Sequence, residues 1–355
     1  VGVASAEVGG RRRARLAVDL SILAVIGVLL VSSFGAAAAV LYREFYSPSA
    51  FVMRYLSMLE SGRAADALAM PGVALDRAEL EAVGLPPTAS DALLRSAALG
   101  SLTDATVVEE RVDGAYTVVT ATYVAGGHQG TTRFRVVSDG LLGVAPTWRF
   151  AQSPLAVMNL TVLGSMTFDV NSFVLDKRQV SPDGMDADPV APLSMLVFSP
   201  GLYSVSVDTP MATTPGIAVL SDAPMVNVPV QVQAEPTEEF VAVVQERVEE
   251  FLTACTTQQV LQPTGCPFGY VVRNRVEELP TWTIVQQPEV TIVPDGAGWR
   301  IPDTQATAHI DLQVRSISDG TLRPVSEDVP FLLHGTIMVL PDGTASIQLG
   351  GLDVR

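Results

Sequence analysis

Two cysteines, three histidines and a few clustered acids are the residues of this chain whose chemistry could go beyond packing. Cys255 and Cys266 lie in LTACTTQQVLQPTGCPFG, around a Pro/Gly-rich loop. That pattern suits a local disulfide formed in an oxidising compartment. Closing so short a loop stabilises a fold by roughly 2–3 kcal/mol in the chain-entropy model. A zinc site would need four ligands, and no histidine is near in sequence. His309 and His334 fall on C-terminal strands and could meet across them, but a third ligand is missing. Metal sites need three or four ligands, so core or surface histidines are the expectation. Asp183, Asp186 and Asp188 stand on nearly alternate positions, as calcium-loop carboxylates do. Such loops need more oxygen ligands, and Pro189 cuts this one short, which points to a solvated acidic turn.

His128 sits in Gly126-Gly127-His128-Gln129-Gly130, the tip of an expected hairpin. A tip histidine projects into solvent, and no residue that would orient it as a general base accompanies it. Tyr116 and Tyr123 are odd-spaced on one strand and face opposite sides, one in the core and one at the surface. Gly-x-Ser-x-Gly, phosphate-binding glycine loops, Ser-x-x-Lys and the dinucleotide fingerprint are missing from the sequence. The sequence thus assigns no catalytic, cofactor-binding or metal-ligating residue and no cofactor. It assigns a disulfide to Cys255 and Cys266.

At 355 residues, 48% hydrophobic and 17% charged, the chain can bury two or three cores. Its net charge of -16, from 22 basic and 38 acidic residues, repels phosphate backbones and excludes general nucleic-acid binding. The basic cluster Arg11, Arg12, Arg13 and Arg15 precedes a run without charge from Leu20 to Tyr42. As a helix that run would extend roughly 34 Å, against a hydrocarbon core of roughly 30 Å. Arginines stay on the cytoplasmic side. The expectation is a cytoplasmic tail over 1–15, a transmembrane helix over 16–42, and an extracytoplasmic bulk. A signal peptide cleaved near Ala36–Ala39 is the alternative, and it also exports the rest.

Elements follow from periodicity. Pro48 suits a helix start, Phe51, Tyr55, Met58 and Leu59 recur at helical spacing, and Gly62 ends the helix. Shorter helical patches follow near 64–69, Asp76–Val83 and Ser90–Leu99. From Ala105 the chain alternates in period two, with Asp113-Gly114 and Asp139-Gly140 as hairpin turns. Residues 47–152 read as an α+β domain. Residues 153–233 carry short strands punctuated by prolines and read as a small β-sandwich. Residues 234–355 open on a helix with Phe240, Val244, Val248, Phe251 and Leu252 on one face, then strands with turns at Asp295-Gly296, Asp319-Gly320 and Asp342-Gly343. The expected fold class is α+β: an N-terminal transmembrane helix, then two helix-plus-curved-antiparallel-sheet, cone-like domains flanking a β-sandwich.

Phe51-Val52-Met53-Arg54-Tyr55-Leu56, followed by helices and by strands ending in Trp148-Arg149-Phe150, resembles the nuclear transport factor 2-like cone fold. The stretch from Phe240 through Gly298-Trp299-Arg300-Ile301 is similar but less complete. Ser199-Pro200-Gly201-Leu202-Tyr203 resembles the β-domains of secreted envelope proteins, in which such a turn opens a hairpin. The order of parts resembles anchored envelope proteins of Gram-positive, actinobacterial type, including the teicoplanin-resistance-associated membrane protein family. The zinc ribbon common in that family is not in this sequence. The resemblance implies a single-pass membrane protein with extracytoplasmic domains.

The function expected is a non-enzymatic, membrane-anchored binding or scaffold protein of the cell envelope, with an envelope protein or cell-wall component as partner. A cone domain holding a small hydrophobic ligand, as in isomerases and cyclases, is the second expectation. A structural subunit of a secretion or division complex is the third. The sequence sets no oligomeric state.

Overall fold

The computed structural model describes residues 21–33, 35, 40, 42–143, 145–340 and 344–351. Strands dominate it, and within the described residues the chain divides into two compact units. One comprises Val1–Ala74 and Leu102–Pro154, the other Leu75–Ser101 and Leu155–Arg355.

The transmembrane helix expected over 16–42 needs correction. Residues 21–33 are helical, with Leu23, Val28, Leu29 and Val31 exposed. Among the described residues, however, no helix is long and apolar enough to cross a membrane. Residues 1–15, expected as a cytoplasmic tail, lie outside the described residues. What remains of the expected fold class is a mix of helix and curled sheet in which sheet predominates.

In the first unit, a single π turn at Tyr42–Tyr46 leads into α1 (Pro48–Glu60). Ser47 caps α1 by accepting from the Ala50 N–H at 3.0 Å, and Pro48 has no N–H to leave unpaired. Phe51, Val52, Tyr55, Leu56 and Leu59 bury one face of the helix, and a short α2 (Ala64–Leu68) follows. The sheet is an antiparallel meander of β1 (Leu102–Asp113), β2 (Tyr116–Ala125), β3 (His128–Leu142) and β4 (Ala145–Phe150). Rings fill the space between helix and sheet. Phe150 lies 4.9 Å from Phe51, 5.3 Å from Tyr55 and 6.0 Å from Phe134, centroid to centroid. Gly72, at φ 79°, passes so close that a Cβ there would meet the Phe150 carbonyl oxygen at 2.3 Å. Asp113-Gly114 makes the β1–β2 turn. Asp139-Gly140 does not turn the chain. It sits inside β3 at a bulge, where Gly140 takes φ 124° and the pairing with β4 slips, and the chain turns beyond it near Gly143.

The second unit begins with α3 (Arg77–Ala82), held by a capping box in which Asp76 and Glu79 satisfy each other's backbone N–H. The helix expected over Ser90–Leu99 reduces to a 3-10 turn at Ser96–Ala98. Ser90 instead pairs beside Met195, donating to Ser194 O and accepting from Leu196 N, both at 2.8 Å. Strand pairing thus satisfies backbone groups that a helix would have satisfied internally.

Residues 155–233 form two sheets sharing one core. β5 (Leu155–Leu163) lies between β8 (Leu193–Phe198) and, in parallel, β12 (Asn227–Gln233). The other sheet orders β11 (Ile217–Ser221), β9 (Gly201–Ser206), β6 (Thr167–Val170) and β7 (Phe173–Asp176). The turn at Ser199–Pro200 carries the chain from one sheet to the other rather than opening a hairpin, and the Tyr203 hydroxyl braces it by accepting from Phe198 N at 2.8 Å. α4 (Lys177–Val180) follows β7, and the short strands β10 (Ala212–Thr213) and β13 (Glu235–Pro236) pair with each other.

α5 (Glu238–Thr256) starts at Thr237, whose hydroxyl accepts from Phe240 N at 3.2 Å, and buries Phe240, Val244, Val248, Leu252 and Cys255. The last sheet contains β14 (Arg275–Val276), β15 (Thr281–Gln286), β16 (Val293–Asp295), β17 (Gly298–Arg315), β18 (Leu322–Val339) and β19 (Ala345–Gly351). β17 runs unbroken through Pro302, with its register to β18 slipping between Ile301 and Thr304. The expected turn at Asp342-Gly343 lies outside the described residues. Phe268 packs within 5.2 Å of Phe331 and 4.9 Å of Trp282, and Trp299 is buried beneath the sheet.

Candidate functional site

The sheet of β15, β17 and β18 has an inner face of Trp282, Ala308, Ile310, Leu312 and Phe331 and an outer face of polar residues. Strand alternation alone separates the two. Which outer residues meet depends on register. Ser316 N donates to Thr321 O at 2.9 Å at the hairpin end, so bonded and non-bonded pairs alternate from there. Asp311 opposite Ser326, and His309 opposite Asp328, are therefore non-hydrogen-bonded pairs, whose side chains stand closest. Pro324 and Pro330 occupy the same class of position on β18, where the missing N–H faces away from β17. β19 pairs with β18 only from Leu333 to Val339. Among the described residues, the backbone N–H groups of Ser326 and Asp328 thus face an open strand edge.

On this face His309 Nδ1 lies 2.6 Å from Asp328 Oδ1 and Nε2 lies 3.0 Å from Ser326 Oγ. Asp311 Oδ1 stands 3.5 Å from Nε2. On β15, Thr283 and Thr281 flank His309 and Asp311. The hydrogen bond to Asp328, with the charge of Asp311 behind it, holds the His309 pKa above the ordinary histidine value. Chemically, the cluster joins a carboxylate that orients an imidazole, the imidazole, and a hydroxyl within reach of its second nitrogen. The face is open: the Asp328 side chain is 64% exposed.

The other sequence candidates scatter. His334 lies on the same outer face, but six positions beyond Asp328 on β18, roughly 20 Å along the strand from the row of His309. Its Nδ1 is 3.6 Å from Asp303 Oδ1. His128 starts β3 at an exposed hairpin tip. Tyr123 is buried, its hydroxyl 3.1 Å from Thr132 Oγ1 and its ring over Gly130, while Tyr116 is exposed. Asp183, Asp186 and Asp188 are exposed around a 3-10 turn, with Asp188 accepting from Val190 N at 2.9 Å. Cys255 and Cys266 form a disulfide with their Cα atoms 5.9 Å apart. Among the described residues no group of three or more His, Cys, Asp or Glu is placed to hold a metal ion.

Sequence reasoning missed Ser326, Asp311 and Asp328, and it missed Lys177. Lys177 is the only lysine of the chain and is fully buried. Its Nζ donates to Val162 O at 2.5 Å and to Pro189 O, tying the acidic turn to β5. Burial pulls its pKa down to about 8, against the opposing pull of Asp188 and Asp176. Counting outward from Asp319-Gly320 as a two-residue turn sets Pro330 opposite His309, whereas the four-residue loop 317–320, closed by Ser316 N and Thr321 O, brings Asp328 there. Nothing local marks Lys177 as buried.

No protein-family model matches this chain, and no curated protein matches it.

Proposed function

We propose that this chain is a non-enzymatic extracytoplasmic binding or scaffold protein of a bacterial cell envelope, engaging another envelope protein or a cell-wall component. The observation that carries the reading is how the fold distributes its surfaces. In the first unit the ring cluster of Phe51, Tyr55, Phe134 and Phe150 fills the space between helix and sheet. In the second, Phe268 packs on Trp282 and Phe331 against the inner face of the sheet. Side chains occupy the volume that a hydrophobic ligand would need, which weighs against the isomerase-like alternative. The outer faces are polar, with Thr106, Thr122 and Thr131 aligned across β1, β2 and β3, and the His309 row across β15, β17 and β18. Such faces suit a contact surface. The Cys255–Cys266 disulfide supports an oxidising compartment.

The test is photo-cross-linking in intact source cells. Amine-directed reagents have no exposed lysine to use, because Lys177 is buried. A photoreactive residue at Gln313 or Arg133, one on each outer face, should capture the same envelope component in repeated experiments. Capture of nothing above background at either position, with a small hydrophobic molecule co-purifying instead, would overturn the reading.

A further inference from the structure

We propose that Ser326 is an acyl-acceptor site, at which the hydroxyl takes an acyl group from an activated ester or thioester with His309 as base. The geometry is the ground for this. Ser326 Oγ is 3.0 Å from His309 Nε2, and Asp328 Oδ1, 2.6 Å from Nδ1, fixes the ring so that Nε2 faces the hydroxyl. A weak nucleophile becomes competent when an oriented base stands within hydrogen-bond reach. The N–H of Ser326 faces the open edge of β18, where the register and the two prolines place it, and can donate to the oxyanion that develops on the attacked carbonyl.

The bonds balance without any further reactant. The Oγ–C bond forms as the C–O bond of an aryl ester, or the C–S bond of a thioester, breaks. The serine proton passes to His309 Nε2 and from there to the departing phenolate or thiolate. Nothing is oxidised or reduced. The product is an ester of an aliphatic alcohol, a poorer electrophile than the donor, so the acyl group stays on Ser326 longer than it takes to arrive. The openness of the face sets the donor class. With Asp328 and Asp311 both more than half exposed to water, stabilisation of the oxyanion is weak, and only donors with good leaving groups react.

The reaction requires neutral His309. The groups facing it are Asp311 on its own strand, Asp328 and Ser326 on β18, and the uncharged Thr283 on β15. Both carboxylates favour the imidazolium, so acylation rises with pH as the ring gives up its proton. Asp328 is a positioning residue here, while Asp311 only holds back the base.

The full chain suits a direct test with p-nitrophenyl acetate. Its one lysine is buried and both its cysteines are in the disulfide, so side-chain amines and thiols do not compete. One acetyl group per chain, mapped to Ser326 by peptide mass spectrometry, is the expected result. Ser326→Ala should abolish it, and His309→Gln should slow it on the order of 100-fold. Asp328→Asn should lower the rate, whereas Asp311→Asn should move the pH profile to lower pH at an undiminished plateau. Circular dichroism of each variant guards against loss of fold. Equal acetylation of the Ser326→Ala chain, acetyl groups spread over other residues, or a rate indifferent to His309 would overturn the assignment. Partner cross-linking from Gln313 is read independently, so either idea can fail alone.

Discussion

His309 holds a proton more tightly in the folded chain than an isolated histidine does, because Asp328 accepts from Nδ1 and Asp311 adds its charge. A group whose folded pKa is raised stabilises fully below its unfolded value of 6.5, and that contribution is lost as pH climbs through the higher folded value. The urea midpoint of the second unit should therefore fall across the pH window just above about 6.5, and His309→Gln should flatten that slope. Lys177 runs the other way. Its folded pKa is about 8 against 10.5 unfolded, so between these values the unfolded chain holds a proton that the folded chain has released. Stability should rise with pH across that interval, and Lys177→Met should abolish the rise. The same substitution strands the Val162 and Pro189 carbonyls, at a cost of about 1–3 kcal/mol in chemical denaturation. His309 and Asp311 were legible as neighbours from their spacing of two on an alternating strand. Ser326 and Asp328 entered only with the register. The burial of Lys177 was illegible, because carbonyls 15 residues before it and 12 after it in the chain create it.

Capping and turn chemistry decide most element boundaries. Ser47 with Pro48, the Asp76–Glu79 box and Thr237 each start a helix with local hydrogen bonds, and local bonds can be read from local sequence. Asp113-Gly114, Asp295-Gly296 and Asp319-Gly320 are turns for the same reason. Asp139-Gly140 has the same composition and is a bulge, since its pairing with β4 continues past it. A dipeptide tolerates φ > 0 in either setting, and neighbouring strands choose between them. Gly72 gives the sharpest element-level test. It combines φ 79° with a Cβ position 2.3 Å from Phe150 O, and Phe150 N donates to Pro71 O at 3.0 Å. Gly72→Ala should destabilise the first unit by about 2–4 kcal/mol, seen as a lower urea midpoint.

On the scale of the molecule, Leu75–Ser101 fold within the second unit although the first unit's chain brackets them. Leu80 and Leu85 share a core with Val157 and Leu196. Leu80→Ala should therefore cost about 2–4 kcal/mol and speed hydrogen exchange in β5 and β8, leaving exchange in β2 and β3 unchanged. The disulfide acts on the same unit, between the end of α5 and the loop beyond it. Replacing both Cys255 and Cys266 by serine should lower the stability of that unit by roughly 2–3 kcal/mol, and a reductant should reproduce the effect in the parent chain. The first unit, which contains no cysteine, should be indifferent to both treatments.

Sequence by itself determined what is short-ranged: helix starts, most turns, the alternation that gives each strand an inner and an outer face, and the proximity of two cysteines in one loop. Those features depend on residues a few positions apart, where the chain has few conformations to choose among. Tertiary structure alone decided that Leu75–Ser101 joins the second unit, that Lys177 is buried, and that Ser326 and Asp328 of β18 both stand beside His309. Each of these depends on which distant segment supplies a hydrogen-bond partner or an apolar surface. Alternation and periodicity are the same whichever segment that is, so composition and pattern leave the choice open.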